Sequence, residues 1–183
     1  MGSMRPGLQR LTFLSIVVLA FTGTGLSDAS KAPFSLSIVP TNKFGEVGSI
    51  EMAQSKPGDF YIVLTNVSKD PQAVWEFWNS WGYQNISFEL TTAEGRKFVV
   101  SQRQQDFTVN FPSTFLIQPG EHQVYAIRLD KDWETRPVLP KADEMPITLK
   151  AIYEVSATPE AARYKVWTGR IESRSYKFTL RQW

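Results

Sequence analysis

The sequence predicts an all-β chain folded as one antiparallel β-sandwich, and three observations carry that expectation. Apolar side chains recur at every second position through many short stretches, and Pro, Gly and Asn punctuate those stretches at regular spacing. Aromatic residues make up 13% of the 183 residues, with six Trp among them. That richness suits strands, because flat rings pack well on a pleated face. After the first thirty residues no comparable stretch has helical periodicity, and Pro159 to Arg163 has room for a turn at most.

Taken in order, Phe34, Leu36 and Ile38 alternate with Ser35 and Ser37 to make a first strand, broken by Pro40 and by Gly45 to Gly48. Phe60, Ile62 and Leu64 repeat the pattern, and Asn66 to Pro71 (NVSKDP) ends it with turn chemistry. Ile86, Phe88 and Leu90 form another strand, closed by the turn Ala93-Glu94-Gly95, with Phe98 to Val100 returning as its hairpin partner. Phe107, Val109 and Phe111 alternate ahead of Pro112 and read as a further strand. Phe115 and Ile117 run into the Pro119-Gly120 turn, beyond which Tyr125, Ile127 and Leu129 share one face. Leu149, Ala151 and Tyr153 alternate again, and Arg163 to Ser173 is rich in β-formers, with Gly169 expected to mark a bulge. Tyr176, Phe178 and Leu180 make the last strand. The spacings show no internal repeat, which argues against a propeller or a solenoid.

The first residues read as an address. Arg5 and Arg10 give a positive start, Leu11 to Phe21 (LTFLSIVVLAF) is a short apolar run, and Thr22 to Ala32 is small and polar. Such a run is far short of the about 20 apolar residues a spanning helix needs. Ser27 and Ala29 place small side chains ahead of a cut before Ser30, so residues 1–29 are expected to be a signal peptide and 30–183 the sandwich domain. The mature form is then expected to be secreted or periplasmic and to have no membrane span.

Composition narrows the chemistry. The chain has no Cys, which excludes structural disulfides, thiolate zinc sites and a cysteine nucleophile. Lys and Arg number 20 against 18 Asp and Glu, a balance that gives no bulk affinity for nucleic acid. His122 is the single histidine and follows a turn, the place of a solvated side chain rather than a general base. Asp130, Asp132 and Glu134 alternate, but that stretch lacks the glycine and distal glutamate of a calcium loop. No phosphate-cradling loop is present, and neither catalytic residues, a metal nor a cofactor is expected.

The most unusual stretch is Val74 to Tyr83 (VWEFWNSWGY). Its Trp75, Trp78, Trp81 and Tyr83 are the candidate binding residues, since exposed aromatic platforms hold sugars and peptides. The competing reading places Trp75 and Phe77 in the core, with Trp81 and Tyr83 covering the sandwich end. The C-terminal segment is locally basic, and alternating charges there read as a solvent face that guards against edge pairing.

Three of the strand exits carry a resemblance. Leu64 to Val74 (LTNVSKDPQAV), Ile86 to Arg96, and Phe115-x-Ile117-x-Pro119-Gly120-Glu121 resemble bacterial immunoglobulin-like domains of the intracellular proteinase inhibitor family, over residues 60 to 130. The resemblance implies an immunoglobulin-like sandwich, and the family's name implies protease inhibition. It carries over no functional residue, because the matching motifs describe strand exits and turns. The Trp-rich stretch falls outside them, and an export leader departs from an intracellular setting.

The expectation that follows is an exported, non-enzymatic binding or scaffolding module that works through contacts with a protein partner. Carbohydrate binding through the Trp-rich loop and protease inhibition are the alternatives.

Overall fold

The computed structural model describes residues 32–40, 49–51, 59–129, 131–134 and 144–181. The expected leader and Asp130 of the acidic run lie outside the described residues. The strands are β1 (Phe34–Pro40), β2 (Ser49–Glu51), β3 (Asp59–Asn66), β4 (Gln72–Trp75), β5 (Ile86–Thr92) and β6 (Lys97–Gln102). They continue with β7 (Thr114–Ile117), β8 (His122–Arg128), β9 (Trp133–Glu134) and β10 (Glu144–Val155). One short helix, α1 (Pro159–Arg163), precedes β11 (Gly169–Glu172) and β12 (Tyr176–Arg181). Among the described residues no helix is long and apolar enough to cross a membrane.

Two sheets face each other. One has the order β1-β3-β8, and the other runs β2-β12-β10-β5-β6-β9, with β11 also on β10. Every pairing is antiparallel except that of β12 with β2. The arrangement β1-β3-β8 against β6-β5-β10-β11/β12 is the strand order of an immunoglobulin-like sandwich. The predicted fold class is therefore the observed one. A third pair, β4 with β7, stands at one end.

Side-chain alternation builds the core as the sequence predicts. The inward residues of β5 (Ile86, Phe88, Leu90) face Phe60, Ile62 and Leu64 of β3, and all of these are at most 1% exposed. Phe60 and Phe88 meet edge to face with centroids 5.4 Å apart, and Phe88 also lies 5.2 Å from the Trp133 ring. Ala151 of β10 sits opposite Phe88 in register and is fully buried. A small residue there leaves room for the large ring, which is how a dense core alternates volumes.

β11 and β12 occupy successive lengths of one edge of β10. At the break between them the Ser173 backbone N–H donates to the Ala151 carbonyl, and the Ala151 N–H donates to Ser173 Oγ. The hydroxyl thus stands in for a missing ladder carbonyl, and β10 stays satisfied across the break. On the outer face of this sheet, Lys150 pairs with Glu172 (2.9 Å), and Arg170 pairs with Glu172 (2.9 Å) and Glu154 (2.8 Å). Exposed pairs of this kind contribute little to stability, so the array keeps the face wet rather than holding the fold.

Asn66 closes the end of β3 from inside. It is fully buried, its amide nitrogen donates to the carbonyls of Asp70 and Ile117 (both 2.8 Å), and its Oδ1 accepts from the Ser68 N–H and hydroxyl. Its own carbonyl accepts from the Gly120 N–H at 2.9 Å. Gly120 has φ of 80°, which the left-handed turn after Pro119 requires.

One expectation needs correction. Phe107, Val109 and Phe111 form no strand; residues 103–113 are a loop, with Val109 63% exposed. Their rings and polar neighbours are engaged by the adjacent Trp-rich loop, and Pro112 has no N–H to offer a ladder. The segment from Pro159 makes one helical turn, because Thr158 Oγ1 accepts from the Ala161 N–H and Pro159 suits the first helical position.

Truncating the ring at the centre tests this account. Phe88→Ala is expected to destabilise the fold by about 3–5 kcal/mol, read as a drop in the urea midpoint with an unchanged slope.

Candidate functional site

The sequence from β4 to β5 folds back on itself because of one buried side chain. Asn79 is fully buried; its Oδ1 accepts from the N–H groups of Trp81 (3.1 Å) and Gly82 (3.0 Å), and its Nδ2 donates to the Ser113 carbonyl at 3.1 Å. Its carbonyl accepts from the Tyr83 N–H at 3.0 Å. Asparagine readily mimics a backbone turn in this way. Gly82 completes the fold-back, since a Cβ there would clash with the Glu76 carbonyl.

This loop is bolted to the 103–113 loop. The Ser80 N–H donates to Asn110 Oδ1 (3.1 Å), and the Asn110 amide donates back to Ser80 Oγ (2.9 Å). Trp78 meets Phe111 edge to face at 5.0 Å, and Tyr83 meets Phe107 at 5.6 Å. Reciprocal hydrogen bonds flanked by two ring pairs leave little freedom between the loops.

The four candidate residues are not equivalent. Trp75 is buried (2% exposed), the last residue of β4, and its ring lies 5.9 Å from Trp81 and 5.6 Å from Tyr164. It supports the loop from below and reaches the surface only at the floor of the concavity beside Trp81. Trp81 and Tyr83 are half-buried, whereas Trp78 is 45% exposed beside Phe111 at 53%. The loop therefore divides between the two readings of its sequence: Trp75 packs inward and Trp78 faces outward.

Two concavities flank the loop. One, of about 390 Å³, is bordered by Tyr83, Phe107, Gln104, Gln105, Asp106 and Asn110. The other, of about 360 Å³, lies between Trp81 and the end of β10 at Glu154 to Ser156. Ser80 and Gln84 border both. Phe111, Asn110 and the glutamine run belong to this end of the molecule, and alternation in the sequence had placed Phe111 in a strand. The polar run Arg103 to Asp106 ahead of it was the available sign of a loop.

Under the loop, Phe77 packs on Tyr125 at 5.4 Å, and Tyr125 lies 6.4 Å from Tyr153. Burial is the main reason that both phenols hold their protons well above the ordinary range. His122 is exposed at the start of β8, and among the described residues no three carboxylates or histidines gather as a metal site.

No family model matches the chain, and no curated protein matches it. The site's chemistry is therefore read from its own geometry.

Replacing the buried amide should loosen the whole loop. Asn79→Ala strips the Trp81 N–H of its acceptor and the Ser113 carbonyl of a donor, leaves the Gly82 N–H only the Asn79 carbonyl at 3.2 Å, and is expected to cost about 2–3 kcal/mol in urea unfolding. The buried phenols set an alkaline limit. Their folded pKa values lie above the unfolded value, so their contribution is complete below about pH 10 and is lost as pH rises beyond it, at about 1.4 kcal/mol per pH unit per phenol. Stability measured from about pH 8 to 11 should fall steeply at the top of that range, and Tyr125→Phe with Tyr153→Phe should flatten the fall.

Proposed function

We propose that the chain is an exported, non-enzymatic binding module that engages a protein partner through the sandwich end carrying Trp78 and Phe111. One observation carries this reading: two large aromatic side chains, each about half exposed, are paired on loops that a buried asparagine and a reciprocal Ser80–Asn110 hydrogen bond hold rigid. Aromatic anchors dominate protein interfaces, and anchors already fixed in place lose little entropy on binding. Loops at the end of a sandwich are its usual recognition elements. Export rests on the charged, apolar and small-residue order of the first thirty residues.

The test is quantitative recovery of a partner from the envelope fraction, followed by binding measurements with the partner obtained. Trp78→Ala and Phe111→Ala are each expected to weaken that binding by about 30-fold, the scale of a lost hot spot. Val99→Ala, exposed on β6, should leave it unchanged. Thermal midpoints should stay constant for all three. Equal binding by wild type and both aromatic variants would remove this surface from the reading. A captured protease that loses activity on binding would assign the module to inhibition.

A further inference from the structure

We infer that the two concavities beside the 76–85 loop form one groove that takes a neutral oligosaccharide, with Trp81 and Tyr83 as its stacking surfaces. The groove shares the Ser80–Asn110 clasp with the partner-binding face, but its stacking surfaces are not Trp78 and Phe111, so substitutions at Trp81 and at Gln104 with Gln105 test it separately.

Continuity comes first. Ser80 and Gln84 border both concavities, which places the two side by side at this loop. Each falls within the range of about 300–1,000 Å³ typical of small-molecule sites. An extended chain of rings, one stretch in each concavity, fits that shape better than a single compact ligand.

The aromatic surfaces are fixed in advance. Trp81 is half-buried and backed by the buried Trp75 ring at 5.9 Å. Tyr83 is held between Phe77 at 6.0 Å and Phe107 at 5.6 Å. A pyranose ring offers an apolar C–H face with hydroxyls around its rim, and a rigid aromatic face bordered by polar groups is its complement.

The polar groups fit hydroxyls. Gln104 and Gln105 edge the first concavity, and an amide both donates and accepts, as a sugar hydroxyl does. Ser87, Ser156 and Thr158 edge the second with hydroxyls of the same dual character.

Charge decides the class of sugar. Among the described residues, neither concavity is lined by Lys, Arg or His. A phosphate, sulfate or uronate would find no cation to meet it. Two carboxylates border the groove: Asp106 at the first concavity, and Glu154, paired with Arg170 at 2.8 Å, at the second. These carboxylates repel an anionic sugar and can accept hydrogen bonds from the hydroxyls of a neutral one, so the ligand is not anionic.

The experiment titrates the purified protein with neutral tetra- to hexasaccharides of glucose, mannose, xylose and N-acetylglucosamine, following tryptophan emission and heat. At least one should give a saturable change in both. Its sulfated or uronate counterpart should bind at least about tenfold more weakly. Trp81→Ala should abolish the emission change. Because that substitution also uncovers Trp75, a second variant is needed: Gln104→Ala with Gln105→Ala, both exposed, should weaken binding at least about tenfold with an unchanged thermal midpoint. No saturable response to any sugar up to about 10 mM overturns the inference. So does sugar binding that both variants retain. Saturable binding of extended neutral peptides in place of sugars would also overturn it, and would make the groove a peptide site.

Discussion

The edge-to-face contact between Phe60 and Phe88 sets the spacing on which the other features depend. It joins the central strand of one sheet to the opposing sheet, and it is possible because Ala151 opposite Phe88 gives up volume. With that contact in place β10 lies fixed between β5 and the β11/β12 edge, and its end delivers Glu154 to Ser156 beside the Trp-rich loop. A shift of one residue in β10 would turn Ala151 outward and bring a larger neighbour against the ring. Core packing and placement of the candidate site are thus one constraint.

The sandwich was legible in the sequence wherever burial is one-sided. β1, β3, β5, β8 and β12 each show alternation because one face meets the core and the other meets water. β4 and β9 were invisible for the opposite reason. In β4, Val74 and Trp75 are consecutive and both buried, and in β9 only two residues pair, so neither has a period to detect. β2 has only three residues and pairs in parallel with β12, a contact that no local pattern encodes. Phe107 to Phe111 shows the converse failure: alternation without a ladder, its rings claimed by Tyr83 and Trp78.

For the candidate site, composition located the loop but could not distribute its aromatics. Trp75 continues a strand and is buried, whereas Trp78 lies beyond Glu76, where strand parity ends. Which ring emerges is decided by the fold-back around Asn79 and by Asn110, about thirty residues away in sequence. Distant partners of this kind leave no mark on local spacing. Asn79 itself looked like a turn former, and its burial follows from a hydrogen-bond geometry that only the assembled loops provide.

The buried Asn66 has a consequence for how the protein can be made. Asn66-Val67-Ser68 is a formal acceptor for an N-linked glycan, which a eukaryotic secretory pathway attaches to the emerging chain before folding ends. The amide nitrogen that would carry the sugar is the one that donates to Asp70 and Ile117 inside the closed corner. A chain decorated there has no way to shut the exit of β3 around the Pro119-Gly120 turn. Material from such a host would divide into a folded fraction undecorated at Asn66 and a fraction decorated there and held open at that corner, and Ser68→Ala would spare the asparagine while removing this acceptor.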